Sequence, residues 1–194
     1  SPPLPVASTP LPVPAPPVVP EVSTPVRTPP APVLGPQPPK PPPRQPGYSS
    51  SATGLAFDPP EGFRLVVGNE NVFVGQELQM VATFQTAMGA DGFASNVTLS
   101  VRAARIAIDD LEEAIDDQVS TLGGQVTKTR SIRVSGKEAR VFDYEIGAYK
   151  FVELVVLDGA GREIHLAAAA GPAQWGFLET SLRRSLESAS LGRN

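Results

Sequence analysis

The chain has 194 residues and no cysteine, and its formal net charge is −4 at pH 7. Of its 23 prolines, 20 lie between Pro2 and Pro46, whereas residues 51–194 carry 13 Lys and Arg against 19 Asp and Glu, a net charge of −6. The lack of cysteine excludes a disulfide framework, a thiolate zinc site and a cysteine nucleophile. The acidic balance argues against nucleic acid as a partner, because no basic cluster is present to neutralise phosphates.

The sequence predicts no membrane-spanning helix, because no apolar run reaches about 18 residues. The chain begins with Ser1 rather than Met, so we expect a mature form from which a signal peptide or an anchor has been removed. Membrane association is then expected only through that removed segment.

Residues 1–54 are predicted to form a disordered, proline-rich arm, because proline fixes φ, removes a hydrogen-bond donor and favours extended neighbours. Such a segment is a semi-stiff spacer with no core, and residues 47–54 (GYSSSATG) are predicted to be a flexible hinge. Pro39, Pro42 and Arg44 match the P-x-x-P-x-Arg pattern that Src-homology 3 domains bind. The match arises easily by chance in so proline-rich a segment, so a spacer is the favoured interpretation.

A folded domain is predicted over residues 55–194, where apolar and polar residues alternate. Residues 59–62 (PPEG) form a turn, and residues 86–95 read as a loop because they are small and glycine-rich. Alternation predicts five strands before the first helix, at 55–57, 63–67, 72–75, 78–85 and 96–104.

Residues 109–122 are predicted to form the first helix. Their apolar positions fall on one stripe, which consists of Leu111, Ile115, Val119 and Leu122. Asp109 and Glu112 have capping-box spacing, and Gly123-Gly124 ends the helix.

Four strands and a closing helix complete the domain. Turn signals separate predicted strands at 125–134, 138–147, 149–157 and 162–170, which indicates an antiparallel meander. Gly171-Pro172 begins the second helix, whose predicted buried stripe is Trp175, Leu178, Leu182, Leu186 and Ala189. The sequence therefore predicts an α+β fold, an antiparallel sheet of about six to eight strands covered by two helices.

The sequence contains few groups that could act in catalysis or bind a metal. His165 is the single histidine, in a predicted strand with Glu163 and Ala167 on its face, and a structural or surface role is favoured over catalysis or metal binding. The acidic residues of 109–117 are interpreted as a solvated helix face rather than a calcium site. No phosphate-binding loop or nucleophile elbow is present, so no catalytic residue, cofactor or metal is predicted. Phe142 and Tyr144 share a strand face and are predicted to be core.

Two pairs of arginines are candidates for binding an acidic partner. Arg102 and Arg105 follow a predicted strand, and Arg183 and Arg184 lie in the second helix. Solubilising surface charge is the alternative interpretation of all four.

Four stretches carry a resemblance to a known family: FDPPEGFRL (57–65), VSGKEARVFDYEI (134–146), LDGAGREIHLAAAA (157–170) and AQWGFLETSLRRSL (173–186). With their turn, hairpin, tryptophan and closing helix, residues 55–191 resemble the PsbP-like fold. Within it the chain looks most like LpqN-type secreted or lipid-anchored proteins of mycobacteria and relatives, and the related DcrB-type proteins. It departs from the lipoprotein members in lacking the lipid-bearing cysteine.

The resemblance implies a non-enzymatic, secreted or cell-envelope domain that binds proteins of the envelope or of a host. A DcrB-like chaperone or adaptor, which binds hydrophobic segments of client proteins, is the alternative, and an exposed apolar patch or a dimer would support it. A homodimer of this chain is left open. An enzyme and a small-ligand site between the sheet and the last helix are the remaining possibilities.

Overall fold

The computed structural model describes residues 47–192. Two α-helices are present there, α1 (Leu111–Thr121) and α2 (Pro172–Glu187), and a 3₁₀ turn, Ile108–Asp110, precedes α1. The strands of the described part are β1 (Tyr48–Ser49), β2 (Leu55–Phe57), β3 (Arg64–Gly68), β4 (Gln79–Met88), β5 (Ala94–Ala103), β6 (Gly124–Val134), β7 (Lys137–Ile146), β8 (Tyr149–Leu157), β9 (Arg162–Ala170) and β10 (Ser190–Leu191).

Seven of these strands form one antiparallel sheet in the order β3-β4-β5-β9-β8-β7-β6. After β5 the chain crosses through α1 to the far edge, and β6 to β9 then return as a meander until β9 pairs with β5. The remaining strands form a small sheet in the order β1-β2-β10. The predicted α+β fold, with two helices on an antiparallel sheet, is confirmed.

The helices cover opposite faces of the seven-stranded sheet. On the α2 face, Leu182 and Leu186 of α2 and Leu55 and Phe57 of β2 join the main core, to which the strands contribute Val97, Leu99, Val101, Leu154, Ile164 and Leu166. On the α1 face, Leu111, Ile115 and Val119 pack against Phe142 and Val155. Burying these apolar side chains is the main driving force that fixes both helices on the sheet.

Helix α1 begins two residues later than its pattern predicts. Asp109 lies in the 3₁₀ turn and pairs with Arg140 at 3.3 Å, and no side-chain hydrogen bond caps the helix, so the predicted capping box is wrong. Leu122 follows the last helical residue and is 58% exposed, which takes it out of the buried stripe.

The small sheet overturns the hinge predicted for residues 47–54. Residues Tyr48 and Ser49 pair with β2, and Ser50 and Thr53 are buried. The Glu70 carboxylate accepts hydrogen bonds from the hydroxyls of Tyr48 (2.5 Å), Ser50 (2.9 Å) and Ser51 and from the backbone N–H of Ala52 (3.0 Å). The polar residues that suggested flexibility therefore bind one carboxylate, that of Glu70, which is itself exposed. The arm at residues 1–46, and its division from the domain, lies outside the described residues and stays a prediction.

The strand predicted at 72–75 is also wrong, since no ladder forms over these residues. Val72 and Val74 pack against the core and Phe73 is 86% exposed, so the alternation is real although no neighbouring strand pairs with it.

The loop predicted at 86–95 shrinks to a tight turn, because β4 extends to Met88 and β5 begins at Ala94. Asp91 in this turn accepts a hydrogen bond from the backbone N–H of Ala173 (3.3 Å), in the first turn of α2. A carboxylate there satisfies a free N–H and favours the helix dipole. Gly171 must be small, since a side chain there would collide with Asp91.

Candidate functional site

The candidate site is a trough beside α2. The helix lies over β8 and β9, so the α2 face of β6 and β7 is only partly covered. Two adjoining clefts lie between the helix and these two strands, and Arg183 lines both of them. We call this trough, which runs from Trp175 to Leu186 along the helix, the α2 groove.

The first half of the α2 groove is polar, with a volume of about 320 Å³. The guanidinium of Arg183 donates to Asp143 (2.7 Å) and pairs with Glu179 (2.8 Å), and it lies 6.0 Å from the centre of the Trp175 ring. Burial lowers the pKa of Arg183, but its bonds to the two carboxylates outweigh burial and raise it. The arginine is thus a fixed cation between two acids and an aromatic face.

Trp175 forms the wall at this end of the groove. The prediction that it is buried is wrong, because it is only partly buried at the edge of the main core. Leu182 and Leu186, farther along the same helix, are buried as predicted. A half-exposed tryptophan in a cleft offers both apolar surface and an N–H donor to a partner.

The second half of the α2 groove is an apolar cavity of about 100 Å³. Its apolar wall consists of Ile132, Val141, Val152 and Leu186. One small apolar side chain is the kind of group that such a cavity accepts.

Two cations of β6 border the groove. Lys128 lines the polar half and Arg130 the apolar half. Among residues 47–192, neither forms a salt bridge within 4.0 Å, and Nε of Arg130 is buried without a hydrogen-bond partner. An N–H without a protein partner needs an acceptor from solvent or from an occupant of the groove.

A chain of buried ionic groups lies on the α1 face. Arg102 donates to Glu163 (2.5 Å), which bonds Nε2 of His165 (2.7 Å). His165 Nδ1 bonds Glu153 (2.6 Å), which accepts from the hydroxyl of Tyr144 (3.0 Å). These groups come from four adjacent strands, so the chain ties β5, β9, β8 and β7 together.

The partners in this chain shift one another's pKa. Burial lowers the pKa of His165, but hydrogen bonds to Glu153 and Glu163 outweigh burial and raise it to about 9. Burial raises the pKa of Glu163, but hydrogen bonds from His165 and Arg102 prevail and lower it to about 2. Burial, followed by the charge of Glu153, raises the pKa of Tyr144. The geometry describes a protonated histidine held between two carboxylates.

Because both ring nitrogens of His165 are occupied, the ring has no free position for a metal or for abstracting a proton. His165 is buried, which supports the structural interpretation and rules out the surface one. Within residues 47–192 no group of three or more His, Asp or Glu side chains is arranged to hold a metal ion.

The structure separates the four candidate arginines. Arg102 is 17% exposed and belongs to the buried chain, and Arg105 donates to the backbone carbonyl of Gln76. Arg183 lies in the α2 groove and Arg184 is exposed. Partner binding by these arginines stays a prediction. Pro39, Pro42 and Arg44 lie outside the described residues.

A further cavity of about 800 Å³ lies among the turns near β10. It is lined by both polar and apolar groups, and its arginine, Arg162, is committed to Asp158 and to the carbonyls of Ala52 and Thr53. It is therefore a weaker candidate than the α2 groove.

No helix in the described part of the chain is long and apolar enough to cross a membrane.

Sequence reasoning missed the groove residues of β6. Alternation along the strand places Lys128, Arg130 and Ile132 on one face, a signal that was present at i, i+2 and i+4. Which face α2 would leave uncovered depends on long-range packing, and no local pattern reveals it.

Two solved structures are similar to this one. Cyanobacterial PsbP (CyanoP) from Synechocystis matches 75% of this chain and 91% of its own, with a TM-score of 0.55 and 13% identity. LpqN, involved in cell envelope biogenesis of Mycobacterium tuberculosis, matches 72% of this chain and 83% of its own, with a TM-score of 0.53 and 14% identity. At such identities the likeness shows the fold alone, and it confirms the PsbP-like fold. No protein-family model and no curated protein sequence matches the chain.

Proposed function

We propose that this chain is a non-enzymatic, extracytoplasmic protein-interaction module, presented on a proline-rich spacer, that binds a protein of the cell envelope or of a host in the α2 groove. The observation that carries the proposal is the groove itself, in which the half-exposed Trp175, the apolar cavity and the unpartnered Arg130 lie along one side of α2.

The groove fits an extended peptide segment. From Trp175 to Leu186 the helix rises about 16 Å, which about five residues of extended chain span. The segment places an apolar side chain in the cavity at Ile132 and a carboxylate near Arg130 and Lys128. Tryptophan and arginine are the side chains that most often dominate binding energy at such interfaces.

The extracytoplasmic location is supported by the proline-rich segment and by the shared fold with LpqN, a protein of cell envelope biogenesis. A non-enzymatic role is supported by the state of the ionisable groups. The histidine is enclosed by carboxylates, and the acids Asp143 and Glu179 in the groove are neutralised by Arg183.

The test uses the full chain as bait on cell-envelope and culture fractions, beside two variants of one strand. Arg130→Glu reverses a charge in the groove, and Arg133→Glu makes the same change three residues on, on the opposite sheet face. A partner bound by the wild type and by Arg133→Glu but lost with Arg130→Glu supports the proposal. Equal retention by all three places binding elsewhere.

A DcrB-like chaperone function is the second candidate, and the apolar cavity at Ile132 and Val141 favours it. A chaperone should suppress aggregation of an unrelated unfolded protein, and Ile132→Glu should abolish that suppression. A specific partner protein without suppression of aggregation favours the interaction module instead.

A further inference from the structure

The exposed apolar side chains of the described residues are concentrated in one stretch of the sequence. Nine large apolar side chains of the described residues are exposed, and six of these nine lie between residues 65 and 80. These six are Leu65, Val66, Val67, Phe73, Leu78 and Met80. Concentrations of exposed apolar residues on a soluble domain mark surfaces that bind other proteins.

The strand β3 carries three of these six residues and lies at the edge of the sheet. It pairs with β4 on one side, and on its other side no strand of residues 47–192 pairs with it. All five of its residues are exposed. Its outer row of N–H and C=O groups is therefore open to pairing with another strand.

The opposite edge of the same sheet is built differently. The edge strand β6 carries Lys128, Arg130 and Arg133 among its 11 residues, and charged side chains on an edge oppose pairing with another sheet. On β3 the single charge is Arg64, at one end. The two edges thus differ in the feature that decides whether an edge associates.

We infer that β3 pairs with β3 of a second copy of this chain, antiparallel and centred on Val66, to form a two-fold symmetric dimer. In this register Leu65 lies opposite Val67 of the second copy, and Arg64 lies opposite Gly68, which has no side chain. A parallel arrangement would set the two Arg64 side chains against each other, whereas the antiparallel one brings no like charges together. A strand that complements itself in this way suits a two-fold interface.

The bulge at Val66 limits the extent of the pairing. The register against β4 shifts between Leu65 and Val67, and a bulge increases the local twist of its strand. The shared ladder is therefore confined to residues 64–68. Phe73, Leu78 and Met80 are exposed in the residues that follow β3, and they are the side chains available to extend the contact. This surface is distinct from the α2 groove, which lies next to β6 and β7 at the other edge.

The first experiment measures the oligomeric state of the full chain by sedimentation velocity between about 1 and 100 µM, the range in which modest interfaces dissociate. Val66→Lys should shift a wild-type dimer to monomer without changing the circular dichroism spectrum. Leu122→Lys is the matched control, because Leu122 is 58% exposed against 53% for Val66 but lies after α1, and it should leave the dimer intact. A monomeric wild type, or a dimer unaffected by Val66→Lys, overturns the inference. A monomeric wild type would mean that the free edge of β3 is available for pairing with a strand of another protein.

A second experiment uses the absence of native cysteine. In the proposed register, residue 66 faces itself across the two-fold axis with Cα atoms about 4.5–5.5 Å apart, within disulfide range. Val66→Cys should therefore oxidise to a covalent dimer much faster than Leu122→Cys. Likewise, Leu65→Cys mixed with Val67→Cys should cross-link more than either variant alone. Equal rates for Val66→Cys and Leu122→Cys would refute the pairing even if Val66→Lys proved to be poorly folded.

Discussion

Replacing Glu163 with glutamine removes the negative charge between Arg102 and His165 in the buried chain of ionic groups while keeping the side-chain shape. Glu163 is fully buried and accepts hydrogen bonds from both Arg102 and His165, so Glu163→Gln leaves two cations beside a neutral amide. Removing one partner of a buried ion pair costs about 3–5 kcal/mol. Here the lower end, about 3 kcal/mol, is expected, because Arg102 is partly exposed and His165 keeps its bond to Glu153.

The assays are urea unfolding, which gives the free energy of unfolding, and thermal unfolding, which gives the melting temperature, both followed by the fluorescence of Trp175, the single tryptophan of the chain. For a domain of this size a loss of about 3 kcal/mol lowers the melting temperature by roughly 6–12 °C. Glu112→Gln is the control, because Glu112 pairs with Arg140 at 3.5 Å on an exposed helix and its removal should cost below about 1 kcal/mol. A loss below about 1 kcal/mol for Glu163→Gln, or equal losses in the two variants, would refute the claim that the buried chain stabilises the sheet.

Three further predictions concern single groups. The pKa of His165 is raised from 6.5 to about 9, so its charge stabilises the folded state fully below pH 6.5, and this stabilisation is lost as the pH rises through 9. The unfolding midpoint should therefore fall between pH 7 and 10 in the wild type and fall less in His165→Gln. Parallel curves for the two proteins would contradict this. Glu70→Gln should lower the free energy of unfolding by about 1–3 kcal/mol, because it weakens several hydrogen bonds at once. In this variant, hydrogen exchange should speed up at residues 48–52 more than in the large sheet. Exchange at residues 48–52 that is unchanged from the wild type would refute the anchoring role of Glu70. Asp91→Ala should lower the free energy of unfolding by about 1 kcal/mol, the usual effect of losing an acid at a helix N-terminus. Asp116→Ala, on the exposed side of α1, should leave the stability nearly unchanged. Equal losses of stability in thermal melts of the two variants would refute the capping of α2 by Asp91.

The main elements could be predicted because their patterns are long. Eleven residues of β6 and sixteen of α2 show enough period to fix their type, and glycine turns fix the hairpins between β6 and β9. The small sheet could not be predicted in this way. Its strands have two or three residues, which is too few to show a period. In addition, Ser190 pairs with Ala56, although most of the sequence of the domain lies between these two residues.

The candidate site was only partly predictable. Glu163 and His165 are two residues apart on one strand, so their shared face was visible in the sequence, and the resulting interpretation of His165 as structural agrees with its burial. Glu153 lies on the neighbouring strand, and its position beside His165 depends on the register set by the turn at 158–161. The exposure of Trp175 could not be read from its helical stripe, because it depends on how far α2 extends across the sheet.

The arrangement of the small sheet has a mechanical consequence. Both β1 and β10 run antiparallel to β2, one on each side of it, so the chain arrives at the level of Phe57 and leaves at the level of Leu55 from the opposite end. Tension applied between residues 47 and 192 therefore pulls β1 and β10 in opposite directions along the strand axis. In that geometry the hydrogen bonds on both sides of β2 are loaded together in shear instead of opening one after another, and the seven-stranded sheet that carries the α2 groove is not in the line of force.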